Sequence, residues 1–591
     1  CHVSIITIND DKNLALKMIR SSCMQLFSYA IKELWPESKI AGNQISDEGF
    51  SYDVDVSNKL KQRDLYVIEK KMQEIAYRNY DILKKEISVQ EAKLTFQKLS
   101  EPYKFLLFNN DKFNNKKKIS LYYHENHVDY TEELQLPNIR FCRYFKIQSI
   151  SGVYWLGDVH NKMLQRVYVI VWATNKHLQL YFSRIKELEK RDHRLVGKKL
   201  DLYHIQEESP GMVFWHHNGW IIFKELETFI REKLKIFNYQ EVKSPTILDQ
   251  IIWKKSGHWE NYKESIFTTI SEKHQYCLKP MNCPAHIQIY NQKLRSYKEL
   301  PMRIAEFGSC HRNESSGSLH GLMRIRAFTQ DDAHIFCTTN QIRSEVHHCI
   351  KMIYDIYNIF GFQEIKVKFS SRPKKRIGDD TTWDYAEKDL IRVLQENNLP
   401  FEYQAGEGAF YGPKIEFLLL DSLNRMWQCG TIQLDFYLPK RLNAFYINED
   451  NDRIVPVMIH RAILGSIERF LGILIEEYSG SFPLWLAPYQ VLIVSISKTQ
   501  SSYVTSLKNR ILDSGLRVEI DIRNVTIGLK VKDFISKKIP YMLICGDSEV
   551  ARNVVTIRTR SGKIFKHYNI DYFIAILLKD NKNRSINELE E

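Results

Sequence analysis

Apolar residues recur at helical spacing near the start of the chain and at alternate positions in shorter runs further on. Between residues 13 and 35 they lie three or four positions apart, which predicts a helix with one apolar face formed by Leu16, Ile19, Cys23, Leu26, Phe27 and Ala30. A charged helix is predicted at 60–79, and strands are predicted at the short runs 3–8, 50–54, 121–123 and 145–147. These elements indicate an α+β domain over residues 9–180.

The large middle part of the chain, residues 205–486, shows strand following strand rather than a regular alternation of strand and helix. Helices are predicted at 220–237, 340–360 and 385–398. This order favours an antiparallel sheet with helices, which is again the α+β class. A charged amphipathic helix at 185–194 predicts a linker over residues 181–204.

The last part, residues 487–591, has a different pattern, because strands alternate with helices. The strands are expected at 490–494, 517–521 and 541–545, and the helices at 503–514 and 527–538. Such alternation predicts a small α/β domain with a largely parallel sheet. The whole chain is therefore expected to be a multidomain protein that combines α+β and α/β parts.

Composition narrows the class of protein. The formal net charge is +13 and the isoelectric point is near 9.0, which weakly favours a polyanionic partner such as RNA. No run of about 18 uncharged apolar residues occurs, so no membrane span is expected. The 10 cysteines have no paired spacing and the start lacks a secretory pattern, which together predict a cytoplasmic location.

The motif Pro-Met-Asn-Cys-Pro-Ala-His at 280–286 places a thiol between two prolines. The prolines predict a stiff turn that presents Cys283 without helix around it. Together with His334 and His460, Cys283 could form a three-ligand zinc site with an open fourth position, as catalytic zinc requires. The alternative is a buried cysteine with two hydrogen-bonded core histidines.

A predicted hairpin carries residues suited to a nucleotide. Arg312 stands at the end of its first strand and offers a planar fork for a phosphate. Phe328 stands on the returning strand and offers a face for a purine. Further on, Gly465 introduces a helix that places Arg469, a second guanidinium, near the same pocket.

These segments resemble the three signature motifs of the class II aminoacyl-tRNA synthetases. Within that class the chain is most similar to the threonyl-tRNA synthetases of bacteria, from about residue 4 to the end. The most specific segments are 280–286, 307–314, 328–337, 406–417 and 456–470. The resemblance implies a homodimer that joins L-threonine to tRNA(Thr) through a threonyl-adenylate, with ATP and Mg²⁺ as well as one zinc ion per chain.

The resemblance also assigns roles to residues. Cys283, His334 and His460 match the zinc ligands. Arg312 matches the group that holds the α-phosphate, Phe328 and Arg469 match the groups that enclose adenine, and the rest of the ATP site matches Glu314, Arg324, Gln428 and Thr431. The amino-acid pocket corresponds to Met281, Gln330, Asp332, Tyr411, Gln433 and Ser466.

The resemblance also assigns residues to contacts with the tRNA. Lys414 and His258 match positions near the adenylate and the terminal ribose, and His258 is a candidate for proton transfer in the second step. Asn524, Glu549 and Arg558 match base-contacting positions of an anticodon-binding domain. Cations expected to contact the tRNA backbone are Arg523, Lys530, Lys532 and Arg560.

The chain departs from this family in its first 180 residues. Residues 1–8 match only the last strand of an N-terminal ubiquitin-like domain, which is expected to be missing. The family's editing site uses three histidines and a cysteine, and the matching positions here are Ser21, Gln25, Thr131 and Gln135. We therefore expect a degenerate editing site that does not hydrolyse mischarged Ser-tRNA(Thr). Smaller departures are Ala285 and Ala327 in place of glycine and Ser315 in place of proline.

Two other interpretations remain open at this point. A related seryl or prolyl enzyme shares the class II motifs, although the Cys283, His334 and His460 set argues against it. A non-catalytic tRNA-binding paralogue fits the lost editing residues. The retained Arg312 and Arg469 argue against that second interpretation, because a protein that only binds tRNA does not need them.

Overall fold

The computed structural model describes residues 12–108, 113, 118–158, 161–420, 425–586 and 589. The strand expected at 3–8, part of the predicted remnant 1–8, lies outside these ranges. Contacts divide the chain into two compact units, residues 1–187 and 188–591. None of the helices within the described ranges is both long enough and apolar enough to cross a membrane.

The first unit is an α+β structure, as the sequence predicts. Its strands form two antiparallel sheets of order β1-β2-β7-β6 and β3-β4-β5. The elements are α1 (Lys12–Leu34), β1 (Lys39–Ile45), β2 (Gly49–Asp55), α2 (Gln62–Tyr77), β3 (Leu83–Ile87), α3 (Val89–Lys98), α4 (Pro102–Leu107), β4 (Ile119–His124), β5 (His127–Tyr130), β6 (Phe145–Tyr154), β7 (Met163–Val171) and α5 (Asn175–Arg191).

Helix α1 is buried on more than the single apolar face that its sequence predicts. Cys23, Leu26 and Phe27 lie in the hydrophobic core of this unit. Ser21 and Gln25, on another side of the helix, are also fully buried. Buried polar groups need hydrogen-bond partners, so these two side chains indicate a polar interior beside the core.

The second unit begins with elements that surround and build a large sheet. They are α6 (His193–Lys199), β8 (Tyr203–His204), β9 (Phe214–Trp215), α7 (His217–Ile236), β10 (Gln240–Glu241), β11 (Ile247–Asp249), α8 (Gln250–Ser256), α9 (His258–Tyr262), β12 (Thr268–Ser271), β13 (His274–Leu278), α10 (Cys283–Tyr290), β14 (Arg295–Ser296), β15 (Met302–His311), β16 (Ala327–Cys337), α11 (Ile342–Ile359), β17 (Ile365–Ser370), α12 (Asp380–Glu396), β18 (Phe401–Gln404), β19 (Lys414–Leu420), β20 (Met426–Asp435), α13 (Leu438–Arg441), β21 (Tyr446–Ile447), β22 (Arg453–Ile454), β23 (Val457–Ser466) and α14 (Ile467–Glu477).

The large sheet has the strand order β10-β15-β16-β23-β20-β19-β17-β18. Its pairs are antiparallel except for β10 with β15 and β17 with β18. The expected antiparallel α+β core is thereby confirmed. Along β16 the side chains alternate: Ala333, Ile335 and Cys337 join a core with residues of α7, α11 and α14. Because successive side chains of a strand point to opposite faces, Asp332 and His334 lie on the other face.

The C-terminal part forms a separate sheet of order β25-β24-β26-β27-β28. The prediction of a largely parallel sheet is wrong in part, because only β25, β24 and β26 are parallel to one another. β27 and β28 form an antiparallel hairpin added to one edge. The elements are β24 (Val491–Ser495), α15 (Ser501–Asp513), β25 (Val518–Asp521), α16 (Ile527–Lys537), β26 (Tyr541–Cys545), α17 (Asp547–Arg552), β27 (Val555–Thr559), β28 (Ile564–Tyr568) and α18 (Ile570–Asn583).

Two local predictions differ from the structure. The helix expected over 185–194 ends at Arg191, because the Asp192 side chain accepts a hydrogen bond from Arg194 N and starts α6. The stiff turn expected around Cys283 is instead the first turn of α10. Pro284 is tolerated there because the first N–H groups of a helix have no partner within the helix.

A charge network on the first unit gives a testable dependence of stability on pH. A hydrogen bond from Arg78 lowers the pKa of Glu33 to about 2, from an ordinary value of 4.5. The stabilisation is therefore complete above pH 4.5 and is lost as the pH falls toward 2. Glu33→Gln should lower the free energy of unfolding by about 1–3 kcal/mol at pH 7 and have little effect near pH 2.

Urea unfolding followed by circular dichroism at several pH values measures this effect. Glu74→Gln is the control, because Glu74 bonds the same arginine from a more exposed position. The control should change the free energy of unfolding by less than about 0.5 kcal/mol. Equal stability of wild type and Glu33→Gln at pH 7 contradicts the assignment.

Candidate active site and metal centre

The register of the large sheet lines up a row of polar side chains across neighbouring strands. His334 on β16 lies opposite His460 on β23, and His460 lies opposite Gln433 on β20. Gln433 in turn lies opposite Lys414 on β19. Opposite residues of antiparallel strands have side chains on the same face of the sheet, about 5 Å apart. The sheet therefore gathers residues distant in sequence into one site.

A bulge between β16 and β23 is held together by Asp331. Gln330 pairs with Ser466 while Asp332 pairs with Ala462, so β23 contains extra residues at this point. The buried Asp331 carboxylate accepts hydrogen bonds from Ile463 N at 3.0 Å and Gly465 N at 2.9 Å. The bulge turns the chain into α14, whose first turn is capped by the Ser466 side chain. Asp331 is thus structural, whereas Asp332 faces the site.

A cavity of about 210 Å³ opens next to this bulge. It brings together the predicted ATP-site residues and part of the predicted amino-acid pocket. The predicted residues that line it are Arg312, Glu314, Arg324, Phe328, Gln330, Gln428, Thr431, Gln433, Ser466 and Arg469.

The arrangement within this cavity suits an anionic, aromatic ligand. The Arg312 guanidinium lies over the Phe328 ring, 5.1 Å from its centroid, and its Nε donates to Pro280 O. Arg469 is held by hydrogen bonds to Met323 O and Gln428 O. Two guanidinium groups beside an exposed ring face can bind phosphates and stack a base.

Cys283, His334 and His460 converge at one buried point near the cavity. Their ligand atoms all lie within 4.8 Å of one another. His334 Nε2 and His460 Nδ1 are 3.0 Å apart. The structure therefore brings together the three residues that the sequence singled out as metal ligands.

The outer nitrogens of the two histidines are already engaged. His460 Nε2 lies 3.0 Å from Asp435 Oδ2, and His334 Nδ1 lies 2.8 Å from His286 Nδ1. A carboxylate can only accept, so neutral His460 carries its proton on Nε2 and presents a lone pair on Nδ1. If His334 donates through Nδ1, its Nε2 also presents a lone pair, and the two lone pairs face each other. A cation between them resolves this repulsion, so the donor set fits a divalent metal of the zinc type.

Burial affects the protonation of two of the three groups. Burial lowers the pKa of His334 well below its ordinary value, which keeps the imidazole neutral. Burial also raises the pKa of the Cys283 thiol. A bound divalent cation favours the thiolate and so offsets the effect of burial.

The remaining predicted amino-acid residues adjoin the metal ligands. Asn282 Nδ2 donates to the buried Asp332 carboxylate at 3.1 Å. The Tyr411 ring stacks on His460 with centroids 4.9 Å apart, and its hydroxyl donates to Gln433 Oε1 at 2.6 Å. Met281 packs in the same hydrophobic cluster as Cys283 and Tyr411. Gln433 also lines the 210 Å³ cavity, so the metal centre and the cavity share one wall.

Lys414 and His258 lie outside the lining of that cavity. Lys414 forms an ion pair with Glu416 at 2.6 Å. His258 is fully buried, its Nδ1 contacts Ser256 Oγ at 2.7 Å, and its ring packs edge-on against Phe410. Burial lowers the pKa of His258 to about 3, so it is a neutral imidazole at physiological pH.

The predicted anticodon residues do not form one cluster. Asn524 is exposed after the end of β25, and Glu549 lies on α17 after the end of β26, so both are at the same edge of the sheet. The Glu549 carboxylate accepts hydrogen bonds from Gly546 N and Thr556 Oγ1. Arg558 lies within β27 opposite Met542, toward the other end of β26.

The backbone-contacting cations predicted from sequence need correction. Lys530 is 1% exposed and donates to Ser495 O and Asp521 O, so it stabilises the fold and cannot reach a phosphate. Arg523 is paired with Asp521 and Asp533. Arg560 donates to the carbonyl oxygens of Phe482 and Lys538. Lys532 is exposed.

In the first unit, the four positions that match an editing site lie in a polar interior. Gln135 donates from its amide to Ser21 Oγ, and His124 Nε2 contacts Gln25 Oε1 at 2.9 Å. Thr131 lines a cavity of about 930 Å³. His124 also contacts Tyr80 through its other nitrogen, so both of its ring nitrogens are occupied.

Sequence reasoning missed the polar residues that support the metal ligands. Asn282 donates to Asp332, Asp435 contacts His460, and Glu306 contacts His286. Glu306 follows Ile304 and Ala305 in β15, and this local pattern does not reveal its role because its partners come from other segments. Burial alone would raise the pKa of Glu306, but hydrogen bonds from His286 and Ser244 outweigh it and lower the value to about 2.

Comparison with known proteins gives the class. A profile of the "tRNA synthetase class II core domain (G, H, P, S and T)" matches residues 267–478, and one of the "Anticodon binding domain" matches residues 490–580. The RNA-binding domain of threonyl-tRNA synthetase from Cryptosporidium parvum Iowa II is 38% identical with a TM-score of 0.64, covering 67% of this chain and 99% of that one. The chain belongs to the class II aminoacyl-tRNA synthetases.

Further solved structures refine this comparison. A protein of Aeropyrum pernix assigned as a threonyl-tRNA synthetase is 27% identical with a TM-score of 0.59, covering 68% of this chain and 97% of that one. Prolyl-tRNA synthetase from Cryptosporidium parvum is 15% identical with a TM-score of 0.51, covering 66% and 76%. The prolyl enzyme shares the fold, while the two proteins of higher identity carry the threonyl name.

The adjacent residues Asp331 and Asp332 provide a matched pair of variants. Asp331→Asn removes an acceptor from the bulge and should lower the free energy of unfolding by about 1–3 kcal/mol. Asp332→Asn should leave stability nearly unchanged and raise the KM for the amino acid about tenfold or more, because a charge-assisted hydrogen bond is lost. Thermal unfolding and amino-acid-dependent ATP–pyrophosphate exchange measure the two effects. The assignment would be overturned if Asp331→Asn raised the KM for the amino acid and Asp332→Asn lowered the free energy of unfolding.

Proposed function

We propose that this protein is a threonine–tRNA ligase. It activates L-threonine with ATP, releases diphosphate, and transfers threonine from the adenylate to the terminal adenosine of tRNA(Thr). The convergence of Cys283, His334 and His460 beside the arginine-lined cavity carries this proposal. The threonyl names of the two relatives of higher identity support it.

The amino acid occupies the wall between the metal ligands and the cavity. Asp332, held by Asn282, accepts hydrogen bonds from the α-amino group. Tyr411 and Gln433 bond each other at 2.6 Å and close the side of the pocket next to His460. Met281, Gln330 and Ser466 complete the pocket. A pocket fixed by these contacts orients the threonine carboxylate toward the ATP-binding cavity, which lowers the entropic cost of attack.

ATP binds in the 210 Å³ cavity with Mg²⁺ on its phosphates. Arg312 binds the α-phosphate and stabilises the negative charge that develops there as the carboxylate attacks. Adenine stacks between Phe328 and Arg469, and the side chains that complete the site are Glu314, Arg324, Gln428 and Thr431. The diphosphate leaves as the new acyl–phosphate bond forms.

Cys283, His334 and His460 would hold one zinc ion. The ion would supply a Lewis acid with affinity for the amino and hydroxyl groups of threonine. Valine has nearly the same shape as threonine but lacks the hydroxyl. A site built for a polar group rejects an analogue without it far more strongly than a purely apolar pocket can.

In the second step, the terminal ribose hydroxyl attacks the adenylate. His258 matches a position near the terminal ribose and is the candidate to accept the proton, with Lys414 close to the same wall. The C-terminal domain recognises the anticodon through Asn524, Glu549 and Arg558. The protein acts in the cytoplasm as a homodimer.

Serine is the amino acid that this site cannot exclude well. It carries the same hydroxyl and lacks only a methyl group, which gives a discrimination of about 10- to 200-fold. The four editing positions have neither an imidazole nor a thiol, since they are Ser21, Gln25, Thr131 and Gln135. Hydroxyl and amide groups are poor general bases at neutral pH. The protein therefore does not hydrolyse Ser-tRNA(Thr), although the fold of the first unit is retained.

The metal centre is tested by Cys283→Ser. Zinc content should fall from one ion per chain to well below one, and threonine-dependent ATP–pyrophosphate exchange should fall at least about 100-fold, because a thiolate ligand is lost. Cys337→Ser is the matched control, since Cys337 is buried on the opposite face of β16. The control should keep its zinc. A fully active Cys283→Ser protein with no zinc contradicts the proposed centre.

The editing defect is tested with preformed Ser-tRNA(Thr). The purified protein should release serine no faster than the spontaneous rate, because no general base is present at the four positions. Placing histidines at Ser21 and Gln25 gives a comparison variant. The proposal is wrong if the wild-type protein deacylates Ser-tRNA(Thr) rapidly and changes confined to the first unit abolish this activity.

A further inference from the structure

A chain of buried polar groups extends behind His334, away from the metal centre. His286 Nδ1 lies 2.8 Å from His334 Nδ1, and His286 Nε2 lies 3.1 Å from Glu306 Oε2. Glu306 also accepts from Lys279 Nζ at 3.0 Å and from Ser244 Oγ at 2.6 Å. None of these side chains is more than about 5% exposed. Buried polar groups need partners, so donors and acceptors must match at every hydrogen bond along this chain of groups.

This matching determines where the protons lie. The Glu306 carboxylate accepts only, so the neutral tautomer of His286 that bonds it has its proton on Nε2 and a lone pair on Nδ1. His286 Nδ1 must then accept from His334 Nδ1. The proton of neutral His334 is therefore held on Nδ1, and His334 Nε2 is left as a lone pair directed at Cys283 and His460.

We propose that His286, oriented by Glu306, is a positioning residue that fixes the tautomer and ring orientation of His334 and thereby sets the affinity of the metal centre. This inference rests on the proposed zinc site but concerns a residue that touches neither zinc nor substrate. In the absence of His286, the proton of His334 is free to move to Nε2 and block the ligand atom. Partners of this kind change metal affinity by about 10- to 100-fold when they are lost.

Packing alone does not account for the chain of polar groups. A buried ion pair such as Lys279 and Glu306 is costly to desolvate, and apolar residues of the same volume commonly stabilise a core as well or better. The Ser244 hydroxyl and backbone N–H both point at Glu306, and Lys279 also donates to Ser244 Oγ. Glu306 is thus held in one orientation, which is the property needed to direct the His286 proton.

Loss of His286 should affect the binding of threonine and not that of ATP. Arg312, Phe328 and Arg469 line the ATP-binding cavity, and His286 is not among the residues that line it. Weakening the metal centre should therefore raise the KM for threonine and leave the KM for ATP nearly unchanged. A general loss of folding would change both.

Two substitutions of His286 separate positioning from packing. In His286→Asn, the amide oxygen falls near the former Nδ1 and can still accept from His334, although the side chain is smaller. In His286→Leu, the volume is largely kept but no acceptor remains. Positioning predicts that the asparagine variant stays within about threefold of wild type in zinc affinity, while the leucine variant loses about 10- to 100-fold. If His286 only fills space, the leucine variant should bind zinc more tightly than the asparagine variant.

Zinc affinity is measured by competition with a chelating indicator on the full chain, and the site is also followed by the absorption spectrum of Co²⁺-substituted protein. The tetrahedral Co²⁺ spectrum should persist in His286→Asn and be weakened or altered in His286→Leu. Thermal unfolding of both variants checks that they fold. If His286→Leu fails to fold, Glu306→Leu with Lys279→Met removes the acceptor of His286 without leaving an unpaired buried charge. This variant should bind zinc about tenfold less tightly than wild type, and an affinity equal to wild type would overturn the role of His286.

The outcomes distinguish this inference from the proposed function. A wild-type protein that binds no zinc overturns both. A wild-type protein with one zinc ion, together with a folded His286→Leu variant of equal zinc affinity, overturns the role of His286 alone. A leucine variant that binds zinc less tightly than the asparagine variant, with only the threonine KM raised, supports the role of His286.

Discussion

The site depends on the two-residue period of the strands in the large sheet. One face of β16 is apolar and packs under helices, so burial fixes the register of β16 against β23, and β23 in turn pairs with β20. A slip of one residue would move the apolar set into the site and the polar set into the core. His334, His460 and Gln433 can therefore meet without any direct attraction between them, because the core on the opposite face determines where they lie.

Burying polar side chains on the other face of the sheet costs free energy, and hydrogen bonds between paired groups offset this cost. Asp331 satisfies backbone N–H groups of the bulge, Asp435 holds His460, and Glu306 holds His286. Each carboxylate accepts several hydrogen bonds, which offsets the penalty of its burial. What is left over is a pair of imidazole lone pairs and a thiol at one point. The same arrangement that satisfies the surrounding groups leaves a donor set that suits a cation of the zinc type.

The sequence could predict the fold and the identity of most side chains at this point, because both follow from local patterns and from motifs. It could not predict the geometry that depends on the register of distant strands. Pro284 predicted a turn, yet the structure tolerates it in the first turn of α10, where its missing N–H has no cost. Lys530 looked like a surface cation, but tertiary packing buries it and turns it into a donor to backbone carbonyl oxygens. The role of Glu306 was equally out of reach, since its partners come from three separate segments.

The polar interior of the first unit is satisfied by groups that the proposed function does not use for hydrolysis. Ser21 and Gln135 bond each other, and Gln25 bonds His124, so these polar groups still have partners inside the unit. Replacing an imidazole by an amide or hydroxyl of similar reach keeps a hydrogen bond and so keeps stability, but it removes the basic lone pair that hydrolysis needs. Stability and reactivity thus place different demands on the same positions. Under the proposed function, discrimination between threonine and serine would fall on the pocket formed by Cys283 and its neighbours.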